Sequence, residues 1–232
     1  MFFGNSKKVV YWNSSISALD IDISDYLIPA FKNKPKWFTK LKKPSYFNKF
    51  NIGSTRECPS FIDLFKNSLL YTSPCDFVLR ISRRGFNLEC ANPGIIDVTS
   101  HTEREKSASQ MGSDWDRNLI NIKISTSIFL KAAKSKIKFI YLPAFYHNPK
   151  IDFIVPPGIM NVTTSTTLPL NLNTFIDIEN LKINEEKKIL IRAGDILSMI
   201  YFPEGIPEFL KKDIKPTPKK FFNSDYNKKN KK

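Results

Sequence analysis

Along most of this 232-residue chain, apolar and polar residues alternate with a period of two, and the alternating runs are short. That period is the mark of strands with one face buried, since successive side chains point to opposite faces of a sheet. VVYW (Val9–Trp12) opens the series and ALDIDI follows. DFVLRIS (Asp76–Ser82) and FNLECA (Phe86–Ala91) flank an RRG turn and predict a hairpin with Gly85 in the turn. NLINIKISTSIFL (Asn118–Leu130), IKFIYLPAFY (Ile137–Tyr146), KIDFIVPPG (Lys150–Gly158) and TSTTLPLNLNTFIDI (Thr164–Ile178) continue the pattern. EKKILIRAGDILSMIYF (Glu186–Phe202) adds two strands around a hairpin turn at Ala193–Asp195. Gly194 there and Gly158 after Pro157 read as turn glycines that use glycine's backbone freedom.

One segment departs from this period. In SFIDLFKNSLL (Ser60–Leu70), Phe61, Leu64, Phe65 and Leu69 share one helical face, with Ser60 placed to cap after Pro59. Between Tyr26 and Phe50 the prolines Pro29, Pro35 and Pro44 forbid a long helix. The aromatics of this arm, among them Phe31, Trp37 and Phe38, suggest that it docks onto its own domain. The pattern predicts a mainly β fold, an antiparallel β-sandwich of jelly-roll-like type with one short helix. The organisation read from it is an N-terminal strand region (1–25), a basic, proline-containing arm (26–58), a sandwich core (59–207) and a basic, disordered tail (208–232).

Charge refines this picture. The net charge of +14 resides in two segments, residues 32–49 and 211–232, each +7, and the other 192 residues sum to zero. Lysine outnumbers arginine 29 to 7, and Asn, Ile and Phe are plentiful, as an AT-rich coding sequence produces without selection for a charged partner. No apolar run approaches the length of a membrane span. Lys7 and Lys8 interrupt the start before any signal-like stretch develops, so a soluble, non-secreted protein is expected. Cys58, Cys75 and Cys90 form an odd set without CxxC spacing and read as buried or idle thiols in a reducing compartment, with neither a disulfide framework nor a zinc knuckle indicated.

Three constellations carry candidate chemistry. His101 and Glu103, in HTE, followed by His147, have the composition of a two-histidine, one-carboxylate site for Fe, Mn or Zn in a jelly-roll enzyme. The bland alternative is one histidine in a polar loop and one in a turn before Pro149. The loop around SHTEREKSASQMG is long for a compact β domain, and His101, Glu103, Arg104, Gln110 and Trp115 supply hydrogen-bonding and stacking groups for a polar ligand. Its alternative is a solvated crossover. Lys36, Trp37, Lys40, Lys42 and Lys43 in KWFTKLKK, with the tail from Lys219 (just after Pro218), pair lysine with aromatics as single-stranded nucleic-acid binders do. No GxSxG, SxxK, P-loop or dinucleotide glycine pattern occurs, and no residue is assigned a catalytic role.

Several local sequences, taken in order, resemble a family of small uncharacterised proteins of tailed phages, especially those infecting marine bacteria and cyanobacteria. They are a Cys-Pro…Asp helix (Cys58, Pro59, Asp63), a Pro-x-Asp strand start (Pro74, Asp76), a Pro-Gly turn (Pro157, Gly158) and a late GDxL strand (Gly194, Asp195, Leu197). The resemblance covers about residues 26–202. It departs in a longer, more charged histidine loop and in lacking an aromatic, arginine-bearing segment after PPG. It implies a setting, the cytoplasm of an infected bacterium or a virion, and no activity. The function expected is a phage accessory or structural module that binds a host or virion protein or itself.

Overall fold

The computed structural model describes residues 8–16, 21–41, 58–90, 94–100, 118–144, 146–147 and 152–215. It is mainly β, with antiparallel sheets packed face to face as a β-sandwich. Strands β1 (Val9–Ser14), β6 (Ile96–Ser100), β7 (Leu119–Ala132), β10 (Leu168–Asp177) and β13 (Glu208–Lys211) form one sheet. A second runs β2 (Leu27–Pro29), β3 (Ser68–Thr72), β12 (Ile196–Tyr201), β8 (Ile137–Pro143), β9 (Gly158–Val162). A third holds β4 (Phe77–Ser82) between β11 (Lys187–Ile191) and β5 (Gly85–Cys90). From β6 onward the chain passes from the first sheet to the other two and back twice, so the layers of the sandwich are joined by crossings and not by hairpins alone.

Alternation fixes which side chains enter the core. Phe77, Leu79 and Ile81 of β4, Ile122, Ile124 and Ile128 of β7, Leu170, Leu172 and Ile176 of β10, and Ile137, Phe139 and Tyr141 of β8 are buried together. Burial of a side chain of this size contributes about 1.5–3 kcal/mol each. Strand β7 is the spine of its sheet: β10 lines one edge, while β6 and then β1 share the other. Strand β13 adds to β1 in parallel register, Val9 opposite Glu208 and Trp12 opposite Lys211. Residues 9–14 and 208–211, drawn from sequence into flanking regions, are thus paired parts of the sandwich. The tail's lost alternation hid β13, because an edge strand of four residues needs only backbone pairing.

The second and third sheets are held by one bent ribbon. The register of β11 on β4, ending at Ile191 opposite Phe77, resumes at Ile196 opposite Thr72 as β12 on β3. The turn at Ala193–Asp195 is therefore a corner between two in-line strands, where the spacing suggested a hairpin. Its amides are satisfied across the corner: Ala193 N–H donates to Asp76 Oδ1 at 2.7 Å, Arg192 N–H to Asp195 Oδ2 at 2.8 Å, and Gly194 N–H to the Ser73 carbonyl at 2.7 Å.

Two further expectations are corrected. Helix α2 spans Pro59–Lys66, shorter than Ser60–Leu70, because residues 68–72 are captured as β3 between β2 and β12. Leu69 accordingly sits in β3, and Ser60 lies inside the helix, the cap being Cys58; Pro59 begins the helix, where its fixed φ suits the first turn and its missing N–H costs nothing. In the arm the helix α1 is a single turn (Lys36–Thr39), as the prolines require, and just before the arm a 3₁₀ turn (Ile23–Asp25, capped by Asp22) stands where the alternation of ALDIDI suggested strand. Gly194 adopts φ +83°, the left-handed region, while Gly158 does not and simply opens β9. Gly194→Ala is expected to destabilise the protein by about 1–2 kcal/mol. Gly158→Ala, whose new methyl meets nothing within 4 Å, is expected to stay within about 0.5 kcal/mol of the parent in urea unfolding.

Candidate functional site

Strands β3 and β12 explain why a surface site arises beside helix α2. Every residue of β3 is buried, as are Leu197 through Ile200 of β12, so these strands need cover on both faces. One face belongs to the main core. The other, through Leu70 and Met199, packs against Phe61 and Phe65 of α2, Phe38 of α1 and Ala30, which form a second, smaller core.

The small core is aromatic. Phe38 stacks on Phe61 with centroids 5.2 Å apart and planes 14° from parallel, and Phe61 lies 4.7 Å from Phe65. Tyr146 meets Phe61 edge-on at 4.9 Å. The arm is pinned by Trp37, whose Nε1–H donates to the Tyr146 carbonyl at 2.8 Å. The docking of the arm onto its own domain is thereby realised for Trp37 and Phe38.

This arrangement leaves a groove. A cavity of about 240 Å³ is lined by Phe31, Lys34, Phe38, Phe61, Ile62, Phe65 and Lys66. Phe31 is 42% exposed, and Lys34 Nζ lies 3.8 Å from its ring centroid, a cation–π contact. Both charged residues of the lining are lysines, and Lys36, Trp37 and Lys40 are exposed nearby on and after α1. The one acid of α2, Asp63, is used elsewhere: it accepts from Asn67 Nδ2 at 2.8 Å and from the Tyr201 hydroxyl at 3.2 Å. These last contacts border a wider, open depression of about 500 Å³ lined by Pro59, Ser60, Asp63, Leu64 and Tyr201. The Tyr201 phenol is held above its usual range by desolvation and by Asp63.

Of the residues singled out from sequence, His101, Glu103, Arg104, Gln110 and Trp115 lie outside the described residues, as do Lys42, Lys43 and Lys219. What is described are the strands that flank the long loop: β6 and β7 pair with each other, Ser100 opposite Ile122, so the loop joins adjacent antiparallel strands. His147, expected in a turn or at a metal, borders the aromatic core. Its ring lies 5.6 Å from Phe65, and Nε2 is 2.9 Å from the Asn33 carbonyl oxygen. A carbonyl only accepts, so Nε2 carries the proton and donates, leaving Nδ1 as the lone-pair nitrogen. Among the described residues no three His, Cys, Asp or Glu side chains converge as a metal-binding group.

Phe31, Lys34, Phe61, Phe65 and Lys66 were not marked as site residues from sequence. Their signal was split: the arm showed unexplained aromatics and the helix an apolar face, and only the fold makes one surface of them. Cys75 and Cys90, for which the sequence indicated no disulfide framework, are brought to an Sγ–Sγ distance of 3.5 Å. No helix among the described residues is long and apolar enough to cross a membrane. No protein-family model, curated protein or solved structure matches the chain.

Burial holds the His147 pKa below its ordinary value of 6.5, against the opposing pull of the Asn33 carbonyl. The unfolded chain therefore takes up this proton first on acidification. The stabilising contribution is complete above the ordinary value and is lost as pH falls through the lowered one. In His147→Gln the fall of thermal stability between pH 7 and pH 5 is expected to be shallower than in the parent, as differential scanning fluorimetry across buffers would show. An identical slope in both proteins contradicts the assignment.

Proposed function

We propose that this protein is a binding module, a β-sandwich phage accessory or structural protein that captures an acidic protein segment with an apolar tip. The setting suggested by the tailed-phage resemblance is an infected bacterial cell or a virion, with a host or virion protein as partner. The observation that carries the reading is the groove beside α2, where an exposed phenylalanine and an aromatic floor are bordered by Lys34 and Lys66. An apolar side chain entering it gains from aromatic burial, and carboxylates on the same segment meet lysine at the rim. The floor is held from behind by β3 and β12, so little ordering is needed on binding, which favours affinity.

The test uses twelve-residue peptides of alternating Glu and Gly around a central Phe or Leu, their Lys-for-Glu counterparts, and oligo(dT), titrated by calorimetry onto the full chain. The acidic peptides are expected to bind and the basic ones not to. Lys34→Glu combined with Lys66→Glu is expected to weaken the acidic peptides about tenfold, the equivalent of about 1.4 kcal/mol. Binding of oligo(dT) alone, falling steeply with salt, would transfer Lys36, Trp37 and Lys40 to a nucleic-acid surface. A concentration-dependent dimer abolished by Phe31→Ala would make a second copy the occupant.

A further inference from the structure

Cys75 and Cys90 stand at the two ends of the β4–β5 hairpin, and the fold aims them at each other. Phe77 of β4 pairs with Cys90, the last residue of β5, which places Cys75 beside it at the corner of the ribbon. Their sulfurs are 3.5 Å apart, about 1.5 Å beyond a bonded pair. Cys75 is 6% exposed, whereas Cys90 is half-buried and within 3.8 Å of the Asp76 carbonyl. The neighbourhood is well held: Ser73 Oγ donates to the Cys75 carbonyl at 2.7 Å, and Asp76 receives the Ala193 amide. We propose that Cys75 and Cys90 form a redox modification site, a dithiol that a small-molecule disulfide of the glutathione class converts into an intrachain disulfide.

The exchange proceeds in two displacements. Cys90, the more accessible thiol, attacks as thiolate one sulfur of the glutathione disulfide; the S–S bond breaks and one glutathione leaves as its thiolate. Cys75 then gives its proton to solvent and attacks the Cys90 sulfur. The Cys75–Cys90 bond forms and the second glutathione departs, so two protein thiols are oxidised as one disulfide is reduced to two thiols. Burial first, then the hydrogen bond and charge of Cys90, push the Cys75 thiol up to about 12, which assigns the first attack to Cys90. The contributions from Cys90 fall away once it is in the mixed disulfide, while the larger one from burial remains, so Cys75 attacks from a position held next to the Cys90 sulfur.

The experiment incubates the folded full chain with reduced and oxidised glutathione at graded ratios, alkylates it, and reads intact mass and cysteine-containing peptides. The expected product carries a single alkyl group, on Cys58, where the reduced chain carries three, and before alkylation it is about 2 Da lighter than the reduced chain, with Cys75 joined to Cys90. Its unfolding midpoint is expected about 5–10 °C higher and to return on adding dithiothreitol. Cys75→Ser is expected to stop at a stable glutathione adduct on Cys90, a readout that a merely structural role of Cys75 does not produce. Cys58→Ser is expected to close the bond as the parent does. The proposal is overturned if the parent retains glutathione on Cys90 without closing, or if Cys75 and Cys90 both alkylate at every ratio. It is equally overturned if the bond forms only in denatured chain.

Discussion

Two distant stretches of chain, residues 68–82 and 187–201, pair with each other through a bend, and the second and third sheets are both built on that pairing while the first packs against them. β5 attaches to its β4 half, and β2 and β8 to its β3 and β12 half. A ribbon that turns a corner leaves backbone amides without ladder partners, each costly if buried unsatisfied. Asp76 and Asp195 supply the missing acceptors, and Gly194 supplies the left-handed φ that the corner requires. The pairing therefore keeps its register across the corner, from Ile191 opposite Phe77 to Ile196 opposite Thr72, and shifts by one residue only beyond it, between Ile196 and Ser198.

The same ribbon dictates where the molecule meets its surroundings. Because β3 and β12 are buried on both faces, the sandwich core covers only one of them, and α2 with the proline-rich arm must close the other. A helix of two turns and a one-turn helix cover little area. The aromatic floor they build is consequently open at its rim, where Phe31 and Lys34 stand. The candidate surface is thus a by-product of two-sided burial, with lysine contributed by the arm.

The dithiol belongs to the same corner. Cys75 follows Pro74 at the bend and Cys90 closes β5, so the geometry that aligns Phe77 with Cys90 also aligns the sulfurs. A bond there would tie the bend of the ribbon to the hairpin that leans on it.

By itself the sequence determined the local features: period-two strands such as those of β4, β7 and β10, the hairpin at Gly85, the apolar face of Phe61 and Phe65, and the placement of basic charge at two segments. These follow from side-chain direction and turn chemistry within a few residues of one another. Only the tertiary structure decided that Leu69 leaves the helix for a strand, since the gain comes from pairing with residues 200 and 29. The same holds for β13 beside β1, for the corner at Gly194 in place of a hairpin, and for the meeting of Cys75 with Cys90. In each case the deciding contact spans a sequence separation over which no periodic signal persists. The groove is the clearest instance: its residues come from the arm and the helix, each ordinary alone, and become one surface because β3 and β12 need cover on both faces.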